Sequence, residues 1–94
     1  MAIKTLQITL TGAAQQVSAK PIKCKWEVFQ NNGTPAVRAG DANVSATLGY
    51  SIAPAAAFPL PVPFASTFGT DLSQWFVIGT AAQLLDIVYD DLNF

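Results

Sequence analysis

In three runs of this chain, apolar residues recur with a period of two. Leu6, Ile8 and Leu10 alternate with Thr5, Gln7, Thr9 and Thr11. Ile22, Cys24, Trp26 and Val28 alternate with Lys23, Lys25 and Glu27, and Phe29 then breaks the polar set. Near the end, Leu85, Ile87 and Tyr89 alternate with Leu84, Asp86, Val88 and Asp90. Successive side chains of an extended strand point to opposite faces, so each run predicts a strand with one buried side. No segment sustains helical spacing between caps. Leu84 to Leu92 can be forced into a short helix, but Ile87, Val88 and Tyr89 favour a strand. Such runs at about 8- to 12-residue spacing predict an all-β chain. The expectation is a single antiparallel β-sandwich or jelly-roll-like domain over residues 1–94.

Turn signals divide the runs. Gly12-Ala13-Ala14 closes the first, and Gln15 to Ala19 reads as a short edge segment. Pro21 precedes the second strand, in which Trp26 is the expected core anchor. Asn31-Asn32-Gly33 predicts a tight turn, with Pro35 to Ala39 returning as the hairpin partner. Gly40-Asp41-Ala42-Asn43 is a second turn, because Asp and Asn side chains bond nearby backbone. Asp41 and Asn43 also offer oxygen ligands, but two do not make a calcium site, and no metal is expected. Val44 to Leu48 reads as a short strand or an irregular connection, ended by Gly49.

Phe58, Leu60, Val62 and Phe64 alternate with Pro59, Pro61 and Pro63. In an extended strand the three prolines would lack their N–H on one edge only. This predicts an edge strand that is blunted on its outer side. A polyproline ligand is the competing reading. Asp71-Leu72-Ser73 reads as a turn or one helical turn. Gln74 to Gly79 is nearly all apolar, which predicts burial on both faces or an interface on one.

The chain has 94 residues, one domain's worth. Charged residues make up 12%, against about 25% in ordinary soluble domains. A surface this poor in charge either hides itself or meets a partner. Net charge is −1, and five basic residues against six acids exclude the electrostatics of nucleic-acid binding. Charge is nevertheless segregated. Residues 1–38 carry net +4 and residues 39–94 carry −5. Neighbouring strands of opposite charge, or a basic surface meeting an acidic one on another subunit, both account for this.

The single cysteine, Cys24, is expected to be a buried small hydrophobe. The N-terminal stretch lacks the continuous apolar run of a signal peptide, and no run is long enough for a membrane helix. Synthesis in a cytoplasm is the expectation. Without histidine, the usual general base and most metal sites are missing, and Cys24 has no imidazole to activate it. Glu27 is the only glutamate. Asp86 and Asp90 could share a face but read as solvated strand positions. No glycine-rich phosphate loop is present. Neither an enzyme nor a cofactor is expected.

Two segments resemble small virion structural proteins of tailed bacteriophages. One runs from Val37-Arg-Ala-Gly-Asp-Ala-Asn-Val to Pro54. The other is Asp71-Leu-Ser-Gln-Trp-Phe-Val-Ile-Gly-Thr-Ala-Ala-Gln, continuing through Tyr89. The opening Leu-Thr-Gly-Ala-Ala-Gln-Gln is also similar, and the proline-rich strand departs from the pattern. The resemblance implies a capsid decoration, cement or minor capsid protein on the virion surface, a homotrimer bound to the major capsid protein, without catalytic residues. Candidate interface residues are Phe58, Leu60, Val62, Phe64, Phe76 and the tail to Phe94; Trp75 reads rather as core. A receptor- or carbohydrate-binding module of a head fibre or tail, built around Tyr50 and the 40–49 loop, is the alternative.

Overall fold

The computed structural model describes residues 2–60 and 70–91, with backbone alone at 58–60 and at 70. Among the described residues, nine strands form two antiparallel sheets: β1 (Ala2–Thr9), β2 (Gln15–Gln16), β3 (Lys23–Asn31), β4 (Val37–Gly40), β5 (Tyr50–Ile52), β6 (Ala57–Leu60), β7 (Thr70–Asp71), β8 (Phe76–Ile78) and β9 (Leu84–Asp91). One sheet has the order β1-β9-β3-β6, with β7 also on β3, and the other has the order β2-β8-β4-β5. The pairs are nested: β4 with β5, β3 with β6, β2 with β8, and β1 with β9. With the two-residue β7 set aside, this is a long antiparallel ribbon rolled into two facing sheets, the strand order of a jelly roll. The expected all-β sandwich is therefore the fold.

The alternation in β1 and β9 places side chains as the period-two reading requires. Leu85, Ile87 and Tyr89 are buried, while Leu6 and Ile8 pack against the core from β1. In β3 the alternation changes phase. Cys24 is opposite Asp91, but Glu27 is opposite Tyr89, so β3 spends one residue more than β9 over this interval. Such a bulge turns every later side chain to the other face. Cys24, Glu27, Phe29 and Asn31 all become buried. The expected anchor Trp26 stays half-buried outside the core, and Phe29 takes its place, meeting Trp75 edge to face with centroids 5.7 Å apart.

The turn after Asn31 is also not a hairpin. Val37–Gly40 pairs with β5 and β8 in the other sheet, so the chain crosses the sandwich at Asn32–Ala36. Asn31 holds this corner. Its amide nitrogen donates to the carbonyls of Pro35 (3.1 Å) and Ile52 (3.0 Å). Its amide oxygen accepts from the N–H of Gly33 (3.0 Å) and from Gln83 Nε2 (2.9 Å). Gln83 Oε1 accepts in turn from Thr80 N–H at 3.0 Å. A side-chain amide has two donors and two acceptor sites, and Asn31 uses all four. A Cβ on Gly79 would lie 2.5 Å from Leu10 Cδ1 and 3.0 Å from Gln83 Oε1, which is why glycine stands beside this node.

The proline-bearing segment is an edge as far as it is described. β6 pairs with β3 alone, with Pro59 opposite Val28. Val62, Phe64 and Phe94 lie outside the described residues.

Candidate functional site

The outer face of the four-stranded sheet gathers the candidate surface residues. Val37, Ala39, Val77 and Ile52 point into the core. Their neighbours therefore point outward: Arg38 and Gly40 from β4, Phe76 and Ile78 from β8, and Ser51 from β5. Arg38 lies opposite both Ile78 and Ser51, and Gly40 lies opposite Phe76. Phe76 and Ile78 are half-buried. A concavity of about 350 Å³ at Ile78 is lined by Gly12, Pro35, Ala36, Arg38, Ile78 and Thr80 among others. Arg38 is its one charged lining residue, and Nη1 donates to the carbonyl of Gly49 at 2.9 Å. The arrangement suits apolar contact with one fixed positive group. It offers no acid–base pair.

Of the described members of the sequence-derived interface set, Phe76 is placed on this surface. Phe58 and Leu60 belong to β6 on the other sheet, opposite Phe29 and Glu27 in register. Trp75 packs against the core, as its reading as core requires.

Residues 40–49 form an irregular connection. Asp41 accepts from Asn43 N–H through its carboxylate (2.9 Å) and from Val44 N–H through its carbonyl (3.0 Å). Val44 then tucks inward between Gly40 and Gly49. Gly49 has φ +128°, and a Cβ there would stand 2.7 Å from Val44 Cγ2, so both conformation and space require glycine. At the tip of this region Leu48 and Tyr50 are exposed, Tyr50 by 55%. The second resembling segment has an equally local role. Asp71 caps a 3₁₀ turn over Leu72–Gln74, accepting from Ser73 N–H (2.9 Å), Ser73 Oγ (2.8 Å) and Ile22 N–H (3.1 Å). Burial raises the Asp71 pKa, but these hydrogen bonds and Lys23 outweigh it and hold the carboxyl below its ordinary value. The residues that carry the resemblance thus build turns, caps and close approaches.

Titratable groups collect at the other end of β3. Cys24, Glu27 and Tyr89 are buried on the core side, with Asp91 and Lys4 at the rim. Burial, then the charges of Glu27 and Asp91, a hydrogen bond with Glu27, and the charge of Asp71 push the Cys24 thiol up to about 12. A thiol so strongly protonated is a poor nucleophile at neutral pH. Burial, Asp91 and Cys24 likewise raise Tyr89. Two expectations need correcting. Glu27 is fully buried, because the bulge turns it inward. Asp90 is 1% exposed, sited opposite the bulge and beside Ile3 of β1, so it is no solvated strand position. Asp86 is partly exposed and accepts from Gln7 Nε2 at 2.8 Å and from Asn32 Nδ2.

The segregated charge is partly cancelled within the chain. Lys4 meets Asp91 at 3.6 Å, and Lys23 lies opposite Asp71. The sandwich brings the basic first half against the acidic second half by pairing β1 with β9 and β3 with β7. Among the described residues, no group of three or more Cys, Asp or Glu side chains is placed to hold a metal ion.

Comparison of the chain with family models, with curated proteins and with solved structures finds no match in any of the three.

Proposed function

We propose that the protein is a non-catalytic structural component of a tailed-bacteriophage particle, sitting on the outer surface of the head as a homotrimer bound to the major capsid protein. The observation that carries this reading is the outer face of β4 and β8, where Phe76 and Ile78 are half-buried and Ile78 lines a concavity with Arg38 as its one charged lining residue. Burying such a face against a neighbour contributes about 25 cal/mol per Å² before the costs of association. The jelly-roll strand order adds support by analogy, because capsid proteins use it; so do lectins.

The test is co-sedimentation of the purified protein with heads that lack it. Binding is expected, and Phe76→Glu is expected to weaken it roughly tenfold or more by placing a charge in the contact. The exposed Tyr50 and Leu48 favour a second reading, a receptor- or carbohydrate-binding module. Retention on host cells with no affinity for heads would replace the first reading with this one, and Tyr50→Ala would then abolish binding.

A further inference from the structure

The two edges of the larger sheet are finished differently. β6 carries Pro59 and continues in sequence to Pro61 and Pro63. β1 is eight residues long and has no proline; its one charged side chain, Lys4, lies on the core-side face beside Asp91. Leu10 N–H donates to the carbonyl of Gln83 at 2.8 Å, continuing the β1–β9 register. Main-chain groups point alternately to the two sides of a strand. The even-numbered residues of β1 therefore bond to β9, and Ile3, Thr5, Gln7 and Thr9 direct their N–H and C=O groups to the free side.

The far end of that side is already closed. The Gln15 side-chain amide accepts from Thr11 N–H (2.9 Å) and donates to the Thr9 carbonyl (3.3 Å). It takes the place that a peptide group of one further strand would occupy. Below it, no described residue bonds to the free-side main-chain groups of Ile3, Thr5 and Gln7.

We infer that this edge pairs with the same edge of a second copy of the chain, antiparallel, about a twofold axis through Thr5. The three open residues are symmetric about Thr5. In that register Ile3 bonds with Gln7 of the second copy and Thr5 with Thr5, so the open groups of Ile3, Thr5 and Gln7 are all satisfied. No register centred elsewhere does this, because the Gln15 amide blocks Thr9. Lys4 would lie opposite Leu6 of the second copy, so like charges do not meet. Ile3, 60% exposed, would gain cover on the outer face. The contact is isologous and closes on itself. It does not depend on the proposed capsid role and is additional to threefold contacts, since a shell has local twofold axes as well.

The test uses the full chain. On the axis, two Thr5 Cα atoms would be about 5.5 Å apart, a distance a disulfide spans. Thr5→Cys is therefore expected to form a covalent dimer under mild oxidation, and Thr9→Cys, beneath the Gln15 amide, is not. Cys24 is buried and does not compete. By light scattering from micromolar to millimolar concentration, the wild type is expected to reach the mass of two chains, or of six where threefold contacts also form. Thr5→Pro removes an edge N–H while sparing the β9 ladder, and should weaken self-association roughly tenfold or more. Thr5→Lys, which sets like charges on the axis, serves if the proline variant does not fold. A wild type of single-chain mass throughout, or equal crosslinking at positions 5 and 9, would overturn the inference. Head binding by a protein that shows neither dimer nor crosslink would leave the capsid role standing without it.

Discussion

The two ends of β3 are both buried and both polar, yet they are built from different chemistry. At its C-terminal end, Asn31 and Gln83 are neutral amides joined to each other and to the main chain around them. At its N-terminal end, Cys24, Glu27 and Tyr89 are titratable groups crowded beside Asp91. A satisfied amide holds geometry at any pH. A packed set of ionisable groups holds it only while their protonation states stay fixed. The first end fixes the crossing of the chain between sheets. The second makes stability depend on solution conditions.

Breaking the amide end should have the largest effect. Asn31→Leu leaves the Ile52 carbonyl and the Gly33 N–H without their partner, and takes one bond each from the Pro35 carbonyl and the Gln83 amide, which stay bonded to each other at 2.6 Å. It is expected to cost about 3–5 kcal/mol in urea unfolding, since each stranded buried group costs about 1–3 kcal/mol and the site partly relaxes.

The contrast sharpens at high pH. The Cys24 pKa is raised on folding from 9.0 to about 12. The protonated thiol therefore supports the fold fully below pH 9, and that support is lost as pH climbs toward 12. The expected slope is at most about 1.4 kcal/mol per pH unit. Tyr89, shifted in the same direction, adds to the loss above its ordinary value of 10.0. Cys24→Ala should flatten this alkaline limb, whereas Asn31→Leu should lower the whole curve without changing its slope there. Unfolding measured from pH 7 to 11 separates the two.

The smallest effect is expected at Asp71, the cap beside the titratable end. Its pKa is depressed, so its contribution is present above the ordinary carboxylate value of 3.8 and disappears as pH falls through the lower folded value. Asp71→Ala should cost about 1 kcal/mol near neutrality, and the gap to wild type should close in acid. A gap that persists at pH 2 would mean the cost is in packing rather than in the carboxylate.

Much of the fold was legible because a strand writes its burial into alternate positions. Leu6, Ile8 and Leu10, and Leu85, Ile87 and Tyr89, face where their spacing says. The 3₁₀ turn at Asp71 and the edge position of β6 could also be read locally. What could not be read was long-range. Asn31-Asn32-Gly33 announces a turn, but a turn does not say which sheet receives the next strand. Asn31 looks like a turn residue because its second role is made with Ile52 and Gln83, far away in sequence. The bulge left one trace. Phe29 broke the polar face of β3, and a phase change after Lys25 would have put it inward at the expense of Trp26. Of the surface, Phe76 stands in a nearly continuous apolar run that leaves burial on both faces or an interface on one open, whereas the concavity at Ile78 depends on Pro35, Ala36 and Thr80 arriving from separate turns.

The bulge also decides where the chain can change length. Elsewhere in β3, losing one residue would exchange inside for outside along everything that follows. Between Cys24 and Glu27 the arithmetic is reversed, because β3 already spends one residue more than β9 there. Removing Lys25 would restore a regular ladder while Glu27, Phe29 and Asn31 kept their orientation. Close relatives of this chain can thus differ by a one-residue deletion in the middle of a paired strand, a place where alignments would ordinarily refuse a gap.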